Sequence, residues 1–262
     1  MTAPDRTPRA ATRARRRTLL AHLSPTDPVE IPALAERLGI SESTVRRDLA
    51  GLERDGQVLR VLGGAVAKGG DPSWRQKERT NAEAKRRIAV RAGELVAPGS
   101  VVLLDAGTSV AAVAQVLAAR AGLTLATFGL PSLENAADGA ADVLVIGGRL
   151  HQRGGRFVGA WTHLLLDSLS PDIAFVGADM FDVARGINCP DAELAGLKSR
   201  AIEVSDQVWV LLDRSKLTAP RRHRFWAPTP QTLGLIVESP VTEPERQAVD
   251  AFRAAGHTVV VA

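Results

Sequence analysis

Beyond residue 100 the chain carries seven short apolar runs, and no other feature constrains its fold more. They are VVLLD (101–105), LTLATF (123–128), DVLVIGG (142–148), DIAFVG (172–177), QVWVLLD (207–213), LGLIVE (233–238) and HTVVVA (257–262). Their apolar residues are continuous rather than alternating, the pattern of strands buried on both faces, and helical stretches separate them. Strands alternating with helices predict an α/β architecture with a mostly parallel sheet. Ligands of such sheets sit beyond the carboxyl ends of the strands, so the Asp and Gly residues that close several runs mark the expected site.

The first quarter of the chain reads differently. RARRRTLLAHL (13–23), IPALAERL (31–38) and SESTVRRDLAGLERD (41–55) have helical periodicity. Ser41 is placed to cap the third helix, and Gly39 permits a tight turn after Leu38, so the second and third helices form a helix-turn-helix. GQVLRVLGGAV (56–66) reads as two short strands, a wing beside the third helix. GGAVAKGGDPSW (63–74) then interrupts the periodicity with four glycines and a proline, which places a domain boundary at residues 69–73.

On the third helix Val45, Leu49 and Leu52 share one face, whereas Ser43, Arg47, Ala50 and Arg54 lie opposite. Thr44 stands beside that second face and Arg46 on its flank. Small residues let a backbone approach a DNA major groove, hydroxyls reach phosphates, and arginine forks onto guanine edges. Arg47 is the expected base or groove-floor contact and Arg46 a phosphate contact; Asp48 is expected to orient a neighbouring arginine. Arg60, in the wing, is placed for a phosphate or minor-groove contact. Residues 1–70 hold 12 basic side chains against 8 acidic ones, which is the whole net charge of +4. A basic end on a neutral body points to an anionic polymer, although Arg15, Arg16 and Arg17 fit a solvated tail equally well.

The run LAERLGISESTVRRDLAGLERDGQVLRVLGGA (34–65) resembles the winged helix-turn-helix of the DeoR family of bacterial transcriptional repressors. The resemblance implies double-stranded operator DNA as partner, with Ser41, Ser43, Thr44, Arg46, Arg47, Arg54 and Arg60 at the interface. It continues through RTNAEAKRRIA (79–89), LLDAGTS (103–109), Gly147-Gly148, GGRFVGA (154–160), DIAFVGA (172–178), Glu193 with Lys198, and LLDRSKL (211–217). It thereby implies a sensor domain with a ribose-phosphate-isomerase-like fold, in which a phosphorylated sugar or related metabolite releases the repressor from DNA. The expected organisation is a flexible basic tail (1–12), a winged helix-turn-helix (13–68), a linker (69–73) and an effector-sensing and oligomerisation domain (74–262).

Asp105 to Ser109 form a turn from a buried strand into a helix. Gly107 permits close backbone approach, and Thr108, Ser109 and the helix N-terminus offer donors to a phosphate. With the resemblance, the effector contacts are expected at Asp105, Gly107, Thr108, Ser109, Thr127, Gly147, Gly148, Glu193, Lys198, Asp213 and Lys216. The lysines would supply positive charge. Asp105 and Asp213 could bond sugar hydroxyls, although turn formation at a strand end also explains both. The chain departs from the family pattern at Phe128-Gly129-Leu130, where polar amides are usual, and at Asp179-Met180, where a hydroxyl residue and a glycine are usual. It departs again at Leu217-Thr218, where the family has Phe-Gly. These departures imply a retained phosphate end and a reshaped sugar end.

Other chemistries are excluded or placed lower. His151 and His163 lack metal-ligand spacing, the single Cys189 has no partner, and no cofactor is expected. Trp74, Trp161, Trp209 and Trp226 read as packing or oligomer contacts rather than base-stacking platforms. No run of 18 or more apolar residues and no secretory signal is read, so a cytoplasmic protein without a membrane partner is expected. Paired half-sites call for a homo-oligomer, a dimer or tetramer. The chain is expected not to be an enzyme. The competing reading is a sugar-phosphate isomerase with an appended winged helix, in which Glu193 near Lys198 would abstract a proton.

Overall fold

The computed structural model describes residues 8–23, 29–54, 58–61, 64–67, 73–218, 223–230 and 232–262. Contacts divide the chain into two units, Met1–Asp71 and Pro72–Ala262.

The first unit contains α1 (Pro8–Ala21), β1 (Val29–Glu30), α2 (Ile31–Leu38), α3 (Glu42–Arg54), β2 (Val58–Val61) and β3 (Gly64–Ala67). α1 thus begins inside the segment expected to be a flexible tail. Gly39 ends α2 in the left-handed region, at φ 62°, which side chains other than glycine adopt at a cost. Ser41 Oγ accepts from Thr44 N at 3.3 Å, capping α3. The strands form an antiparallel sheet in the order β1-β3-β2. A Cβ on Gly64 would lie 2.5 Å from Val29 O, so glycine is what lets β1 approach β3. Leu19, Leu34, Val45, Leu49, Leu52, Val58 and Ala65 make a small apolar core.

The second unit opens with α4 (Trp74–Arg79) and α5 (Ala82–Glu94). There follow β4 (Val101–Leu104), α6 (Thr108–Leu117), β5 (Thr124–Thr127), α7 (Leu130–Ala136) and β6 (Asp142–Val145). A hairpin of β7 (Arg149–His151) and β8 (Arg156–Val158) precedes α8 (Ala160–Asp167) and β9 (Ile173–Gly177). Next come β10 (Phe181–Asp182), β11 (Gly186–Cys189), α9 (Ala192–Glu203), β12 (Gln207–Leu212) and α10 (Arg214–Leu217). The described chain ends with β13 (Phe225–Ala227), β14 (Gly234–Val237), α11 (Glu243–Ala254) and β15 (Thr258–Val261).

All seven apolar runs become strands of one sheet, ordered β15-β14-β12-β9-β4-β5-β6, and every pairing within it is parallel. Leu103, Val176 and Leu212 pack into one apolar cluster and Leu104, Phe175 and Leu211 into another. Successive residues of the inner strands thus enter cores on opposite faces, which is why those runs are apolar without alternation, whereas the edge strands β6 and β15 are partly exposed. β10, β11 and β13 form a separate antiparallel sheet.

Candidate functional site

On α3, Val45 and Leu49 are fully buried, while Ser41, Ser43, Arg46, Arg47 and Arg54 are exposed. Thr44 is half-buried and Arg60, on β2, is exposed. Ser41 Oγ lies 3.0 Å from Ser43 Oγ and 2.9 Å from Thr44 Oγ1, so the three hydroxyls cluster at the N-terminal end of the helix. Arg46 pairs with Glu42 one turn earlier, at 2.9 Å and in solvent, an interaction weak enough for a phosphate to replace. Asp48, expected to orient a neighbouring arginine, engages two arginines of another helix. It is 1% exposed and takes Arg15 at 2.5 Å and Arg16 at 3.3 Å, both from α1. Those two arginines therefore tie α1 to α3 and are not a solvated tail.

In the second unit the carboxyl ends of β4, β5, β9 and β12 converge. Asp105, just past β4, is buried and has both oxygens engaged: Oδ1 accepts from Gly107 N at 2.5 Å, Oδ2 from Gly177 N at 3.0 Å. Lys198 Nζ pairs with Oδ2 at 2.8 Å and also donates to Gly177 O. Burial disfavours the charged lysine, but the acidic groups around it, Asp105 foremost, together outweigh burial and raise the Lys198 pKa. A Cβ on Gly107 would lie 3.2 Å from Gly177 Cα, so glycine permits the two turns to touch.

Several expected ligand contacts are therefore internal. Asp105 and Lys198 hold the β4–α6 and β9 turns together and offer nothing outward. Thr127 is buried, donating through Oγ1 to Leu104 O at 2.8 Å and accepting from Gly129 N at 3.0 Å. Asp213 is buried too, its Oδ1 accepting from Asn81 Nδ2 at 3.1 Å and from Ser215 N at 3.0 Å. Glu193 and Lys198 are not brought together: five positions apart on α9 they point to different sides, and Glu193 pairs with Arg149 at 3.4 Å. Gly147 and Gly148 shape the start of the β7–β8 hairpin; Thr162 Oγ1 donates to Gly147 O at 2.9 Å. A Cβ on Gly148 would meet Val158 O at 2.7 Å.

Gly107, Thr108 and Ser109 at the start of α6 are half-buried, as are Lys216 on α10, Gly147 and Glu193, and Gly148 is exposed. The first N–H groups of a helix lack intrahelical partners and carry partial positive charge, a chemistry compatible with an anion. Phe128, which stands where the family has a polar amide, is wholly buried in the core. Gly129 beside it has a stricter role: a Cβ there would lie 2.7 Å from Ala106 Cα and 2.9 Å from Asp105 O.

Asp179 and Lys216, both singled out in the sequence, stand in a charged group at this end of the sheet whose other members, Lys77, Lys85, His223 and Arg156, sequence reasoning missed. Asp179, two residues past β9, pairs with Lys77 of α4 at 2.9 Å, His223 at 3.3 Å and Lys216 at 3.8 Å. Lys85 of α5 is buried, donates to Lys77 O, and is shifted down to about 8, chiefly by burial and secondarily by Lys216 and Lys77 against the opposing pull of Asp213. Arg156 of β8 is buried against Asp191, whose side chain caps α9 by accepting from Leu194 N at 2.8 Å. Among the described residues no cluster of His, Cys, Asp or Glu could hold a metal ion, and no helix is long and apolar enough to cross a membrane. Trp74 is buried and Trp161 stands 72% exposed on α8.

Comparison with known proteins gives two family matches: a DeoR-like helix-turn-helix domain over residues 15–69 and a DeoR C terminal sensor domain over residues 80–236. The HTH-type transcriptional regulator GlpR of Haloferax volcanii is 34% identical over 209 residues, 78% of this chain and 81% of that protein. The transcriptional repressor AccR of Agrobacterium fabrum is 34% identical over 194 residues, covering 72% and 75% of the two chains. Among solved structures, ribose 5-phosphate isomerase A of Methanocaldococcus jannaschii matches at a TM-score of 0.40 and 20% identity, covering 52% of this chain and 55% of that one.

Proposed function

The chain belongs to the DeoR family of transcriptional regulators, and from that premise we propose that it is a repressor whose grip on operator DNA is released by a phosphorylated sugar or related metabolite. The observation that carries the DNA half is the outward face of α3, where exposed Ser43 and Arg47 stand opposite the buried Val45 and Leu49. Arg47 is assigned to a base edge, Arg46 to a phosphate, Ser41, Ser43 and Thr44 to the backbone, and Arg54 and Arg60 to flanking phosphates. Two such helices on paired half-sites give the specificity one lacks, so the acting species is a homo-oligomer.

The effector half is supported by the turn Gly107-Thr108-Ser109, with its helix N-terminus and Lys216. Here the phosphate is held by N–H and hydroxyl donors, while Asp105 and Lys198 keep the turn in shape. A glycerol-3-phosphate regulon repressor of Escherichia coli, 29% identical over 192 residues, is a relative whose name carries a phosphorylated metabolite. The test is fluorescence anisotropy with the DNA upstream of the chain's own operon, titrated with a panel of sugar phosphates. Release by one of them, lost in Thr108→Val/Ser109→Ala, is the expected result. Binding unaffected by salt and by Arg47→Ala would overturn the repressor reading.

A further inference from the structure

Asp179 is an unusual presence in a site that offers donors to an anion. Its side chain is 16% exposed, and Lys77, Lys216 and His223, from three different segments, face it. Lys77 Nζ donates to both of its oxygens, at 3.1 and 2.9 Å. The position of His223 is fixed independently: its backbone N donates to Asn188 Oδ1 at 2.9 Å and its carbonyl accepts from Asn188 Nδ2 at 3.1 Å. Asn188 is itself 2% exposed. Burial works against ionisation of Asp179, but the His223 hydrogen bond and the charges of Lys77 and Lys216 outweigh it and hold the carboxyl well below its ordinary range. Two lysines and a histidine around one carboxylate have the chemistry of a phosphate cradle already filled by the protein's own anion.

We propose that Asp179 is a resident counter-anion that closes an anion subsite formed by Lys77, Lys216 and His223, limiting the sensor to ligands with a single anionic group. The limit on ligands rests on the effector reading above; the closed subsite does not. Asp179 follows Gly177 by two residues, so their Cα atoms lie no more than about 7 Å apart, and a Cβ on Gly177 would lie 3.4 Å from Gly107 Cα. A ligand with its phosphate on that turn therefore has Asp179 within reach of its other end. A hydroxyl there meets an acceptor, whereas a second phosphate meets a negative charge whose cations are already neutralised.

The experiment follows the His223 ring by NMR in the full chain with labelled histidine, the signal assigned by loss in His223→Gln. Inorganic phosphate is titrated into the natural protein, Asp179→Ala and Asp179→Asn. The expected result is a saturable movement of the His223 signal in the Asp179 variants, its absence in the natural protein, and its loss in Asp179→Ala/Lys216→Met. Asp179→Asn preserves the shape of the side chain and serves if the alanine variant melts early. A His223 signal that ignores phosphate in a folded Asp179 variant, or that moves equally in the natural protein, overturns the proposal. In parallel, a hexose bisphosphate is expected to gain roughly tenfold or more in affinity on Asp179→Ala, as removing one like charge from a site does, with the matched monophosphate changing less. Equal gains for both would overturn the limit on ligands. If Thr108→Val/Ser109→Ala leaves monophosphate binding intact, the effector reading fails, while the His223 signal still decides the role of Asp179.

Discussion

The adjacent arginines of α3 are chemically identical and structurally unequal. Arg47 projects opposite Val45 and Leu49, whereas Arg46 leans along the helix to Glu42. Arg47→Ala should weaken specific operator binding by about 1–3 kcal/mol and relax base preference at one position, as loss of a base-edge fork does. Arg46→Ala should weaken all DNA alike and lower the slope of log affinity against log salt by about 1. Anisotropy on cognate and scrambled duplexes across a salt series separates the two, and equal behaviour of both variants would refute the division. Asp48 gives a third expectation. Its buried carboxylate joins α3 to Arg15 and Arg16 of α1, so Asp48→Asn should cost the DNA-binding unit about 2 kcal/mol. Thermal unfolding reads that loss, and an unchanged midpoint would show that the ion pairs contribute nothing.

At the scale of elements, the parts visible in the sequence are those whose pattern follows from local burial. The five inner strands could be read because each enters a core on both faces, the edge strands β6 and β15 from their apolar residues alone, and α3 because its apolar and polar residues separate at a helical period. The β7–β8 hairpin could not: its strands are three residues each, and β8 carries the buried Arg156, whose place depends on Asp191 far along the chain. The candidate site was legible in the same uneven way. The Gly107-Thr108-Ser109 turn is local, whereas Lys77 and Asp179 meet across 102 positions and no spacing rule joins them. Asp105, Thr127, Lys198 and Asp213 are buried and bonded within the protein, and sequence does not reveal which polar groups their own turns will consume. Gly129 shows how an apparent loss of polar groups can be a packing demand. Gly129→Ala would drive a methyl group into the Asp105-Ala106 backbone, so it should cost about 1–3 kcal/mol, the range for overpacking. It should also blunt effector release, since the same backbone leads into the Gly107 turn; calorimetry and the release assay check both.

For the molecule as a whole, the sensor unit gathers Lys77, Lys85, Lys198 and Lys216 around Asp105, Asp179 and Asp213, and the weakest-paired member of that group sets a pH dependence. Lys198 is held above its ordinary value by Asp105 and stays charged into the alkaline range. Lys85 is the opposite case, lowered to about 8 by burial first. Below pH 8 both folded and unfolded chains hold its proton, and the fold bears the cost of a buried charge. Between about 8 and 10.5, the ordinary lysine value, the folded state has released that proton while the unfolded chain retains it, so stability rises with pH. The full gain is on the order of 3 kcal/mol at about 1.4 kcal/mol per unit. The chain contains no tyrosine, and its one cysteine is buried with its pKa raised, chiefly by that burial, so few other groups interfere in this window. Denaturant unfolding from pH 7 to 10 should show a rising midpoint in the natural chain. Lys85→Met should start higher at pH 7 and lack that rise; a rise of the same size in both would assign the effect to another group.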